Sequence, residues 1–182
     1  LVDTPATRAS PWPHPFALDY EVVLTKDTLS TELRLRNTGG EPLQFTCALH
    51  SYFAVGDVGA ASVVGLQGCE YEDSLAGGRV EREAGEEVRF PVEVDRVYGP
   101  APRDLAIVDR SLGRVIRISK DEGFPDAVVW NPAEEKARAM ADMEEGGHKR
   151  FVCVEVGAVR SSVQVAAGGA WSARQVFRCE AA

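Results

Sequence analysis

The sequence predicts an all-β protein whose strands either close into a barrel or stack as a sandwich. Three observations predict it. Short segments of alternating apolar and polar residues recur along the 182-residue chain. Clusters of Gly, Pro, Asn and Asp punctuate them as turn residues do. About ten such segments in a chain of single-domain length must bury their apolar faces against one another.

In chain order, residues 1–15 hold four prolines and no periodicity, and read as extended chain or linker. A strand is predicted over 19–25. Over 29–36, Leu29, Thr31, Leu33 and Leu35 face one way and Ser30, Glu32, Arg34 and Arg36 the other. Asn37-Thr38-Gly39-Gly40 then turns the chain into 42–51, so the two segments read as a hairpin with a longer loop. Further strands are expected over 61–65, 87–94, 104–109, 114–119, 127–130, 150–157, 162–165 and 171–178. One helix is predicted, with Asn131 as N-cap, Pro132 in the first turn and good helix formers running to about Asp142. Gly77-Gly78 and Ala84-Gly85 mark turns, and the acidic run 81–87 reads as a solvated one. With no internal repeat and no boundary signal, 1–182 reads as one domain.

Composition narrows the function classes. The chain is 45% hydrophobic and 26% charged, as globular proteins are. No apolar run reaches the roughly 18–20 residues that span a bilayer. Membrane insertion is therefore not expected, and a net charge of −8 makes nucleic acid and anionic membrane surfaces poor default partners. Cys47, Cys69, Cys153 and Cys179 form no CxxC pair and read as free thiols in a reducing compartment. Cytosol fits, as does a plastid stroma after loss of a transit peptide. Leu1 in place of Met implies a processed N-terminus or a piece of a longer chain.

Strand parity marks two places where chemistry could sit. Over 43–50, Leu43, Phe45, Cys47 and Leu49 form an apolar face, while Gln44, Thr46, Ala48 and His50 face the other way. Over 151–157, Val152, Val154 and Val156 are apolar, and Phe151, Cys153 and Glu155 share the opposite face. A carboxylate among Phe, Cys and Val is costly to bury without a partner or a function. Pattern alone leaves Glu155 open as a paired structural acid and His50 as a satisfied strand-end histidine. His14, His50 and His148 have no metal-ligating neighbours at zinc-like spacing. Neither a phosphate-cradling glycine loop nor a nucleophile elbow is present. Trp12 and Trp171 read as packing aromatics.

Five segments, in order, carry a resemblance: Trp12-Pro-His-Pro-Phe16, Ala48-Leu-His-Ser-Tyr-Phe-Ala-Val-Gly-Asp57, Val94-Asp-Arg-Val-Tyr98, Asp126-Ala-Val-Val-Trp-Asn-Pro132 and Val152-Cys-Val-Glu155. Together they resemble the D-hexose-6-phosphate mutarotase branch of the aldose 1-epimerase superfamily, from about Trp12 to Val176. The resemblance implies an antiparallel β-sandwich of the galactose mutarotase-like kind, with its site on a concave sheet face. It implies interconversion of the α and β anomers of hexose 6-phosphates, with His50 as general acid and Glu155 as general base. Asp95 would bind sugar hydroxyls, with Asp126 and Trp130 close to the pocket. No metal or organic cofactor is needed for such proton transfers. The family domain also has an N-terminal portion before the Trp-Pro segment, with substrate-holding arginines and a glutamine. This chain begins almost at that segment, so the sandwich is expected to be incomplete at its N-terminal side. A shortened, non-catalytic structural or carbohydrate-binding subunit is the alternative, its open sheet edges covered by a protein partner.

Overall fold

The computed structural model describes residues Leu1–Ala182. Two antiparallel sheets face each other. One has the strand order β1 (Phe16–Leu24), β2 (Thr28–Asn37), β14 (Ala170–Ala181), β11 (Arg114–Lys120), β10 (Asp104–Asp109), β5 (Ala61–Val64) and β8 (Glu87–Val88). The other runs β3 (Leu43–Leu49), β13 (Phe151–Val165), β12 (Asp126–Asn131), β9 (Val94–Tyr98), β6 (Glu70–Asp73) and β7 (Arg79–Arg82), with β4 (Tyr52–Ala54) also pairing with β13. Of the two closures the pattern allowed, the chain takes the sandwich.

The core lies between the sheets. Val63, Ile107 and Ile118 from the first meet Tyr98, Val129, Val152 and Val154 from the second, and none is more than 1% exposed. Each such side chain contributes about 1.5–3 kcal/mol by leaving water. The alternation in β13 therefore fixes its orientation. With the three valines inward, Cys153 and Glu155 must point out of the sandwich.

Several expectations need correcting. Residues 29–36 and 42–51 do not form a hairpin. β2 pairs with β1 and β14, whereas β3 pairs with β13 in the other sheet. Both segments show an apolar face because both line the core, and the loop between them carries the chain across. Asn37 anchors that crossing, its Nδ2 donating to the carbonyls of Glu41, Val165 and Ala166. Residues 1–15 are not a free linker either. They contain a four-residue helix, α1 (Pro5–Arg8), with a Thr4 capping box. Val2 bridges to Ala17, and Trp12 Nε1 donates to the Gln44 carbonyl.

The strand expected over 87–94 is two pieces, β8 and the start of β9. The acidic run before it is only partly solvated: Glu83 Oε2 accepts from Arg96 and from the Tyr98 hydroxyl, each at 2.8 Å. The strands expected over 150–157 and 162–165 are one long β13 with a register shift between Ala158 and Val163. The helix α2 (Ala133–Ala139) is shorter than expected and begins one residue later. Asn131 Oδ1 does accept from the Ala133 amide, while its Nδ2 donates to the carbonyls of His148 and Phe151.

Trp171 packs against Phe45 and Phe124, as a core aromatic should. All four cysteines are free. Lys120 is 5% exposed, and its Nζ donates to three carbonyls, those of Ala101, Phe124 and Pro125. At one side the sandwich is open: Tyr20, Val22 and Leu24 of β1 are 53, 56 and 77% exposed. No helix is long and apolar enough to cross a membrane.

Candidate active site

The ladder of the second sheet assembles the site. Glu155 lies opposite Val128, and Cys153 lies opposite both Trp130 of β12 and Tyr52 of β4. Trp130 in turn lies opposite Asp95 of β9. Paired residues in a sheet share a face, so Tyr52, Asp95, Trp130, Cys153 and Glu155 all project from the outer face. His50 follows directly on β3, whose Leu49 is paired with Val156, so the next position lies alongside Glu155. Gly157 lets β3 come this close, because a Cβ there would stand 2.5 Å from the Cys47 carbonyl oxygen.

His50 Nδ1 is 3.2 Å from Glu155 Oε1. The imidazole stacks on Tyr52 at 4.8 Å and 6° and meets the edge or face of Trp130 at 5.7 Å. Two aromatic walls thus hold a half-exposed histidine against a buried acid. Burial, reinforced by the negative charge of Asp95, pushes the Glu155 carboxyl up to about 7. Glutamate in water ionises far below that, so near neutrality Glu155 divides between its two forms rather than being fully charged. Lys136 of α2 brings a positive charge to the rim, its Nζ 5.9 Å from the Trp130 ring centroid and 2.7 Å from Glu93.

The five residues singled out in the sequence divide into two groups. His50, Asp95, Trp130 and Glu155 come together. Asp126 shares their sheet face but is turned to the backbone: its Oδ2 accepts from the amides of Val159 and Arg160, at 2.7 and 2.9 Å. Arg160 continues the tie, donating to Glu72 and to the Gly99 carbonyl. This knot lies beside the register shift of β13. Tyr52 was not singled out. Its signal was its parity with His50, two residues before it, which puts both rings on one side.

A sandwich of this kind, with a buried acid and an exposed histidine paired on the outer face of one sheet, leads to the sugar mutarotases. The sequence profile of the aldose 1-epimerase family matches residues 1–178, and the chain belongs to that family. Within it, the chain is 38% identical over 166 residues to the "Putative glucose-6-phosphate 1-epimerase" of Cenchrus ciliaris, covering 90% of this chain and 50% of that protein. A protein of the same name from Escherichia coli K12 is 34% identical over 145 residues, 79% of this chain and 47% of its own length. The crystal structure of "a putative mutarotase" from Salmonella typhimurium superposes with a TM-score of 0.90 at 31% identity, covering all of this chain and 59% of that one. The chain thus spans about half the length of the curated relatives it matches.

Proposed function

We propose that the chain carries the acid–base site of a hexose-6-phosphate 1-epimerase. The observation that carries this reading is the contact of His50 with Glu155 on the outer sheet face. Mutarotation moves two protons at two oxygens of one sugar carbon. Glu155, as carboxylate, takes the proton of the C1 hydroxyl while His50 gives one to the ring oxygen. The C1–O5 bond breaks, C1 becomes a carbonyl, the C1–C2 bond rotates, and the reverse transfers close the ring on the other face. Because both oxygens sit on C1, the acid and the base must stand side by side, and groups 3.2 Å apart suit that need.

The basicity of Glu155 supports the same reading. A base is most effective when its pKa lies near the working pH, and burial has brought this carboxyl there. Asp95 can accept from sugar hydroxyls, and Trp130 can lie against the apolar C–H face of the ring. Asp126 serves by fixing the β12–β13 corner. The wider reading, an enzyme acting on glucose 6-phosphate or a close analogue, rests on the relatives' names, and its place in cytosol or plastid stroma rests on the free cysteines.

Magnetisation-transfer NMR of glucose 6-phosphate tests this directly. Anomer exchange should accelerate with the wild-type chain and not with Glu155→Gln. A folded wild-type chain without effect would overturn it. That outcome would favour the second reading, a non-catalytic subunit, which draws support from the uncovered β1 residues Tyr20, Val22 and Leu24.

A further inference from the structure

Local spacing hid one property of the site. Within five residues in sequence His50 has only Cys47 as a metal-ligating neighbour, and Cys47 packs against the core, yet the fold brings three donors of three kinds together. A His50 ring nitrogen, the Cys153 sulfur and a Glu155 carboxylate oxygen all lie within 4.8 Å of one another. Cys153 and Glu155 are two apart on one strand and therefore share a face. His50 arrives from the neighbouring strand end.

Imidazole nitrogen, thiolate sulfur and carboxylate oxygen are the donors zinc takes, with bonds of roughly 2.0–2.3 Å. Three protein ligands with one position left open is the coordination zinc takes where its fourth place is free for water or substrate. Tetrahedral donors at those bond lengths lie roughly 3.3–3.8 Å apart, so a small inward movement would complete the set. His50 can supply that movement, because it sits beyond the end of β3 with 53% of its side chain exposed. Beneath the site, Val152 and Val154 are fully buried and hold the other two donors on a rigid strand. The Asp95 carboxylate adds negative charge that acts on this pocket. A sulfur ligand selects thiophilic ions over magnesium and calcium.

We propose that His50, Cys153 and Glu155 form a binding site for a thiophilic divalent cation of the zinc class. The ion enters from the exposed His50 side and takes up all three donors. Coordination replaces the Cys153 S–H bond with a metal–sulfur bond and releases that proton to solvent, and nothing is oxidised or reduced. For catalysis the site is inhibitory, since the ion occupies both groups of the acid–base pair. This last consequence rests on the epimerase reading; the binding itself does not.

Cobalt reports the binding without substrate. Metal-free protein titrated with Co2+ should develop a near-ultraviolet thiolate-to-cobalt band that Zn2+ abolishes by displacement. Cys153→Ser and Cys153→Ala should lose the band, and zinc affinity measured against a chromophoric chelator should fall at least roughly 10–100-fold. His50→Ala should weaken zinc comparably, and its exposed position keeps the test open should the cysteine variants fail to fold. Absence of the band from folded wild-type protein overturns the proposal. So does a band that survives in the Cys153 variants, or full zinc affinity in His50→Ala. Anomer exchange is measured separately, with and without zinc. An enzyme that works but binds no zinc refutes only this inference, and a chain that binds zinc without accelerating exchange refutes only the epimerase reading.

Discussion

His50 and Glu155 meet at 3.2 Å across the boundary between water and protein, the first side chain 53% exposed and the second 9%. The exposed partner can turn toward a ligand and exchange protons with solvent. The buried one is fixed on a rigid strand, and its proton affinity is set by the fold. Four expectations follow from this division and from the contacts around it.

Replacing the buried acid should cost activity and yield stability. Glu155→Gln should lower the rate roughly 10²–10⁴-fold, the usual worth of a positioned proton-transfer group. In the unfolded chain Glu155 ionises at its ordinary value of 4.5, but in the fold only at about 7. Its contribution to stability is therefore whole below the lower value and is lost as pH rises through that window. The uncharged glutamine escapes the loss. Urea unfolding should find the variant more stable than wild type at pH 8, by on the order of 3 kcal/mol, and equal to it near pH 4. Parallel pH dependences in the two proteins would show that Glu155 is not desolvated.

The pH–rate profile should carry the same signature. With a chelator present, kcat/KM for anomer exchange should climb with pH along a limb centred near 7, where Glu155 loses its proton. Glu155→Asp should retain a limb while lowering its height, because the base is withdrawn by one carbon. A limb at the pH of an ordinary carboxylate would mean another group is the base.

Tyr52 should act on the rate through His50. The stacked ring holds the imidazole toward Glu155. Loss of such a contact costs about 0.5–1.5 kcal/mol, so Tyr52→Ala should reduce kcat roughly 2- to 10-fold. Tyr52→Phe keeps the ring and should restore the rate. If Phe fails as badly as Ala, the hydroxyl matters and the stacking account is wrong.

Asp126 should behave as a structural acid. Asp126→Ala removes the acceptor of two backbone amides at the β13 corner and should cost about 2–4 kcal/mol in urea unfolding. Asp126→Asn, which keeps an oxygen, should cost less. Unchanged stability with a raised KM would instead make Asp126 a sugar ligand.

Parity explains what the sequence revealed. Valines at 152, 154 and 156 leave Glu155 only one direction to point, so its face could be read without a structure. The same rule could not say which strands pair. β2 and β3 look like a hairpin because each has an apolar face, and it takes distant partners, the pairing of β3 with β13 and the contacts of Asn37 with residues 128 and 129 positions away, to show the chain changing sheets. The hairpin of β6 and β7 escaped notice because cross-strand charge, such as Arg82 on Glu70, replaces apolar alternation there. The role of Asp126 was illegible for a related reason. A motif gives the residue type, but the partners of its oxygens are amides of another strand.

Of the four lysines in the chain, Lys26, Lys136 and Lys149 are exposed, and Lys120 alone is buried, with three carbonyls around its Nζ. An amine-reactive label applied to the native protein should therefore mark three positions and skip the fourth. Lys120 becomes a built-in clock for opening of the β11–β12 corner. The rate at which it takes up label, followed by peptide mass, would time how often that end of the sandwich parts from itself while the rest stays folded.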